Sequence, residues 1–291
     1  MVAQRDRTGQ PVKSAAVQHM AVGDGRYVAV MRYAVNIPPF TDVARVVAIA
    51  RDAEEAGWDG VFLWDHVQWS NERPDVHDPW VLLGAIAQVT DRVSLGTLVT
   101  PLSRRRPTMV AKQLTSLDHL SAGRAVLGVG LGAPDDLDFG DLGDEADDRA
   151  RAAMLDECLG VLDGLLRGPI AHAGDHYQVT ADLLPRPVQQ PRPPIWVAGV
   201  VPNRRPLARA RRWDGVVPIG AGELLTPDGL AGYLDGEGRQ GWDVVAPWAP
   251  GVPADEYADA GATWLVESTW PATPGWEQEF HDRIRRDPAA D

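Results

Sequence analysis

The chain has a single cysteine, Cys158, among 291 residues. It therefore forms no intrachain disulfide and no cysteine-built zinc site. Basic residues are scarce: 28 against 41 acidic ones, a formal net charge of −13, and only Lys13 and Lys112 are lysines. A chain this acidic has no general attraction for phosphate backbones or anionic lipid, so neither nucleic acid nor a membrane surface is expected as a partner. No apolar run approaches the roughly 18 residues of a membrane span. The first thirty residues lack the apolar core of a signal peptide, so the expected location is the cytoplasm. What is present is ordinary globular material, with 44% hydrophobic and 24% charged residues.

Residues 1–30 are polar and turn-forming and read as a flexible N-terminal extension, with a single domain over 31–291. From Met31 a rhythm begins in which short β-branched runs alternate with longer amphipathic stretches. Strands are expected at Tyr33–Ile37, Gly60–Trp64, Val93–Val99, Ala125–Gly130, Ile195–Ala198, Gly215–Pro218, Asp243–Ala246 and Thr263–Val266. Thr41 is placed to cap the first helix and Gly57 to end it. Pro79 and Pro107 open the second and third helices. Arg149–Leu166 is a long helix, and His176–Val179 reads as one arm of a small hairpin inside a proline-rich stretch.

Strands alternating with helices imply a parallel sheet. Eight such units in about 260 residues close into a (β/α)8 TIM barrel. The rival is an open doubly wound sheet, supported by Gly128-Val129-Gly130-Leu131-Gly132. A dinucleotide fingerprint runs straight into a helix, whereas here Ala133-Pro134-Asp135-Asp136 follows.

In a barrel the chemistry sits at the C-terminal ends of the strands. Asp65-His66 ends strand two: the imidazole can exchange a proton near neutral pH and the carboxylate can orient it. The plainer reading makes Asp65 a loop cap with His66 packed beneath it. The strand-four glycines and Gly199 let backbone N–H groups approach a flat or anionic ligand, or else serve tight barrel packing. Asp75, His77 and Asp78 form a weak metal candidate and fit better as a loop leading into the Pro79 helix. Asp135–Asp148 holds eight acids without the order of a calcium loop, and reads as a mobile, solvated segment placed to act as a lid. Arg104-Arg105-Arg106 either holds a phosphate or forms a salt-bridged turn facing that acidic segment.

Leu63-Trp64-Asp65-His66, Asp78-Pro79-Trp80, Leu95-Gly96-Thr97, Leu117 to Arg124, Gly128 to Gly132, Pro187-Val188-Gln189, Pro194 to Gly199 and Ala260 to Trp264 follow one another along the chain. In that order they resemble the luciferase-like flavin-dependent oxidoreductases. The resemblance implies a barrel that binds FMN or the deazaflavin coenzyme F420 at the strand ends. It implies either a monooxygenase or a hydride-transferring dehydrogenase or reductase, acting on a small organic substrate. The family histidine falls on His66, as an acid/base steered by Asp65. A non-proline cis peptide is implied near Leu98-Val99, and Leu131, Gly132, Ala198, Gly199 and Val200 fall on positions lining the cofactor. A homodimer is implied too, and for the oxygen-using members a separate flavin reductase. Ala133 replaces an acid of the sugar-phosphate dehydrogenase branch, and lysines are nearly absent, which argues against a sugar-phosphate substrate. A catalytically silent cofactor-binding member is the alternative, and a metal-dependent barrel hydrolase the third.

Overall fold

The computed structural model describes residues 19–21, 27–29, 31–70, 74–271 and 274–290. Eight parallel strands close into a barrel in chain order: β1 (Arg32–Ile37), β2 (Gly60–Leu63), β3 (Ser94–Pro101), β4 (Ala125–Gly130), β5 (Ile195–Val200), β6 (Gly215–Ile219), β7 (Asp243–Pro247) and β8 (Trp264–Ser268). β8 pairs back onto β1, Trp264 opposite Arg32. The outer ring is α1 (Val43–Ala56), α2 (Pro79–Val89), α3 (Pro107–Leu120), α4 (Asp148–Arg167), α5 (Arg204–Ala210), α6 (Pro227–Leu234), α7 (Ala254–Asp259) and α8 (Trp276–Ile284). This closed barrel excludes the open sheet.

Local chemistry explains the boundaries, with small corrections. Asp42, not Thr41, caps α1: its carboxylate accepts from the amides of Ala44 and Arg45 at 2.9 and 3.2 Å. Gly57 ends that helix at φ +104°, in the left-handed region. Asp78 caps α2 by accepting from the Val81 amide at 2.9 Å, so it serves the helix rather than a metal. β3 runs two residues past its expected end, to Pro101. The hairpin arms are Ile170–Ala173 and Gln178–Ala181. The expected extension at 1–30 lies outside the described residues, apart from strands His19–Ala21 and Tyr27–Ala29, which pair antiparallel.

Alternation along each strand divides the core into two clusters. Residues such as Val35, Val61 and Val197 meet the helices; Ala34, Phe62, Val126, Trp196, Val245 and Trp264 fill the barrel. At its centre Phe62, Trp196 and Trp264 pack with ring centroids 5.3, 5.4 and 6.3 Å apart. Beneath them Arg32 pairs with Asp243, and its guanidinium lies 4.1 Å over the Trp264 ring. Asp243 also accepts from Trp196 Nε1 at 3.1 Å. Burial pushes the Asp243 carboxyl up, opposed by Arg32.

The hairpin docks on α4, with Glu157 as its polar anchor. Glu157 accepts from His172 Nε2 at 2.9 Å and from the amides of His176 and Tyr177 at 2.9 and 2.8 Å. Desolvation raises its carboxyl, but these donors outweigh that and bring it down to about 2. Cys158, next along the helix, is fully buried, and burial pushes its thiol up to about 12.

Candidate active site

The β2 end is built by the same alternation. Phe62 faces the barrel interior. Trp64 and His66 follow it at steps of two, so they continue that face into the mouth of the barrel. Asp65 turns the other way. It is 2% exposed and accepts from Thr100 Oγ1 at 2.7 Å and from Arg105 Nε and Nη2 at 3.0 and 2.6 Å. Arg104 Nη2 donates to its main-chain oxygen at 2.9 Å. The expected steering of His66 by Asp65 is therefore corrected: neighbours in sequence on an extended chain stand on opposite faces.

The carboxylate that faces His66 is Asp138. Its Oδ2 lies 3.1 Å from His66 Nδ1, and Arg104 Nη1 donates to the same oxygen. Its Oδ1 accepts from the amides of Val67 and Gln68 at 2.7 and 2.9 Å. Gln68 Nε2 donates in turn to the Leu137 carbonyl at 2.9 Å. Asp138 is fully buried. Burial alone would raise its carboxyl; the hydrogen bonds from His66 and Gln68 and the charge of Arg104 outweigh it and hold it below its usual range.

Asp138 belongs to the acidic segment expected to be solvated. Most of that segment is exposed, as expected, but it is anchored at Asp138 and Phe139. It opens with a short helix, Asp135–Asp138, and Phe139 is fully buried between the guanidiniums of Arg104 and Arg151, 5.1 and 4.2 Å from its ring centre. Arg151 is itself buried and pairs with Asp135 and Asp148. Arg104 pairs with Asp65 and Asp138 and Arg105 with Asp65, which realises the salt-bridged reading for these two arginines, while Arg106 stands exposed.

The glycines serve the protein's own packing. A Cβ on Gly132, whose φ is +87°, would lie 2.5 Å from Phe139 Cζ and 2.8 Å from Pro101 Cβ. One on Gly199 would lie 2.1 Å from Pro206 Cβ, and one on Gly128 2.4 Å from the Thr97 oxygen. Leu131 packs against the outer core. The Leu98–Val99 peptide is cis, where the resemblance implied it. The β3–β4 register shifts between Thr97 and Thr100, and both Leu98 and Val99 join the barrel-interior cluster. Ala198 joins it too, and Val200 stands 48% exposed at the mouth. Asn36 Nδ2 donates to the Leu98 carbonyl at 3.1 Å. Its Oδ1 is buried without a partner.

Around His66 the loops gather four more rings. Trp69 lies 4.6 Å, Trp64 6.0 Å and Phe40 6.1 Å from the imidazole, centre to centre. Trp270, from beyond β8, lies 5.1 Å from Trp69 and 5.8 Å from Trp64. Sequence reasoning does not single out Asp138, Phe40 or Trp270. Of these, Asp138 alone has a usable signal beside it: Phe139, the one aromatic of the acidic stretch, marks where that stretch must be buried. Among the described residues no group of three or more metal-ligating side chains converges.

The mouth fits a planar ring with an amide-like edge. Its walls are the apolar side chains of Val99 and Val200, and the orphaned Asn36 oxygen awaits an N–H donor. Among the described residues no helix is long and apolar enough to cross a membrane.

A sequence model of luciferase-like monooxygenases matches residues 18–226. The F420-dependent glucose-6-phosphate dehydrogenase of Microbacterium testaceum is 34% identical over 203 residues, covering 65% of this chain and 57% of that protein. The 4-hydroxyprotoasukamycin monooxygenase of Streptomyces nodosus subsp. asukaensis is 34% identical over 254 residues, covering 82% of this chain and 63% of that protein. The matches thus span less than two thirds of these relatives' length. The F420-dependent tetrahydromethanopterin reductase of Methanopyrus kandleri superposes with a TM-score of 0.70 at 16% identity, over 90% of this chain and 100% of that one, a likeness of fold. With the family model covering most of the chain and a closed barrel beneath it, the protein belongs to the luciferase-like monooxygenase family.

Proposed function

We propose that the chain is an oxidoreductase that moves a hydride between coenzyme F420 and a small organic substrate, with His66 handling the accompanying proton. The observation that carries the reading is the His66–Asp138–Arg104 array at the mouth, built on the buried Asp138 carboxylate. Asn36, Leu98, Val99, Ala198 and Val200 would hold the ring. When bound, the deazaflavin supplies a centre that accepts or gives a hydride.

The chain's own part is proton management. Asp138 accepts from His66 Nδ1–H, a tautomer assigned from the hydrogen-bond network, and this leaves Nε2 with its lone pair. Nε2 can then take the proton of a substrate hydroxyl as it is oxidised and return it in the reverse direction. Arg104 keeps Asp138 ionised, so the imidazolium formed is met by a carboxylate already in place. The packed rings of Phe40, Trp64 and Trp69 exclude water from that exchange.

A second reading, an FMN-dependent monooxygenase served by a separate flavin reductase, draws support from the monooxygenase relative, which matches the larger share of the chain. We further propose that the protein is a cytoplasmic homodimer whose barrel domain spans 31–291. Its seat would be the outward face of α2, where Val81 and Val89 stand 74% and 40% exposed beside Val43 of α1.

Titration of the purified protein with F420 and, separately, with FMN tests the reading, followed by fluorescence. Binding of F420, with turnover abolished and binding retained in His66→Ala, is the expected result. FMN alone binding would favour the second reading, and binding of neither would refute both.

A further inference from the structure

We infer that this site takes an uncharged substrate carrying a planar apolar ring, seated against Trp270; the inference rests on the redox reading above and names its substrate class.

The barrel's closure of β8 onto β1 brings Trp270 to the loops after β1 and β2. There it meets Trp64 and Trp69 at interplanar angles of 59° and 66°. Phe40 is buried and Trp64 and Trp69 are half-buried, but Trp270 is 63% exposed. A large ring held by two others and left open to water is a platform for one more ring. Other exposed apolar side chains stand at the same end of the barrel: Val67 just after β2, Val200 at the end of β5 and Ile219 at the end of β6, 49%, 48% and 41% exposed. Each leaves apolar surface open to water at the end of the barrel where His66 stands, which suits an apolar guest better than a hydrated one.

Charge argues against an ionic substrate. Arg104 and Arg105 have side chains only 5% and 17% exposed; Arg104 is held by Asp65 and Asp138, and Arg105 by Asp65. Arg283 is paired with Glu267. A phosphate or carboxylate arriving here would lose its hydration and find these guanidiniums already engaged. A quaternary ammonium would need rings spread around a gap, whereas these rings touch one another at 4.6 to 6.0 Å.

The test is calorimetric titration of the full-length protein with naphthylmethanol, a hexose phosphate and choline, in wild type, Trp270→Ala and Trp270→Phe. Covering the Trp270 ring removes on the order of 100 Å² of apolar surface from water, so loss of that ring should weaken naphthylmethanol at least about tenfold. Trp270→Phe should restore most of the binding, which a merely unfolded variant would not do. An unchanged constant in Trp270→Ala, or tighter binding of the hexose phosphate or of choline, would overturn the inference. Because no turnover is read, naphthylmethanol binding in a protein that bound neither F420 nor FMN would sustain this inference while removing the redox reading.

Discussion

Asp138→Asn is close to isosteric, and its consequences can be worked from the geometry. The amide oxygen can still accept from Val67 and Gln68, whose N–H groups lie 2.7 and 2.9 Å from Oδ1. The charge is lost at Oδ2, which faces both His66 and Arg104. Arg104 stays buried, with the Asp65 carboxylate 3.4 Å away as its remaining counter-charge. Removing one partner of a buried pair costs roughly 3–5 kcal/mol, and the surviving Asp65 contact places this case near 3. For a domain of this size that is a fall in Tm of about 6–12 °C by calorimetry. An amide nitrogen facing Nδ1 also favours the tautomer with the proton on Nε2, which cannot accept another. Turnover should fall about 10²–10⁴-fold while the cofactor dissociation constant changes little. The pH dependence has a definite sign. The folded Asp138 lies below its usual value of 3.8, so its contribution is complete above that value and is lost as pH falls through the folded one. The difference in stability between wild type and variant should therefore shrink below about pH 4. A variant that melts with wild type and keeps its turnover would refute the account of the array.

Other perturbations probe separate parts of the molecule. Gly132→Ala forces a side chain into the left-handed region against Phe139 and should cost at least about 1–2 kcal/mol, read by urea denaturation. Glu157→Gln should speed hydrogen exchange at the His176 and Tyr177 amides at neutral pH. In wild type the same protection should fade between pH 4.5 and about 2, because the folded carboxyl is held low and its contribution is lost on acidification. Cys158, with its thiol raised to about 12, should ignore a disulfide reagent in the native protein and react once in denaturant.

Most of the barrel was legible because β-branched runs and amphipathic stretches report local burial directly. His66 was legible because it ends a strand. Its partner was not. Asp65 is adjacent in sequence, yet the two-residue repeat that identified the strand also sends it to the far face. Asp138 is 72 residues away from His66, and seven similar acids surround it. Only the folded chain distinguishes it, since Phe139 and two arginines pull that one stretch inward. Nor does sequence show that Phe139 and Pro206 stand where a Cβ at Gly132 or Gly199 would lie. Trp270 follows the last strand and reaches Trp64 and Trp69 only through closure of the ring.

Among the described residues, the three rings at the barrel's centre, with the Arg32–Asp243 pair below them, fill the barrel beneath the mouth. On the proposed function, substrate, product and cofactor ring would share that mouth. Release of one guest would then precede entry of the next wherever both need the same wall, and product inhibition would be the kinetic signature.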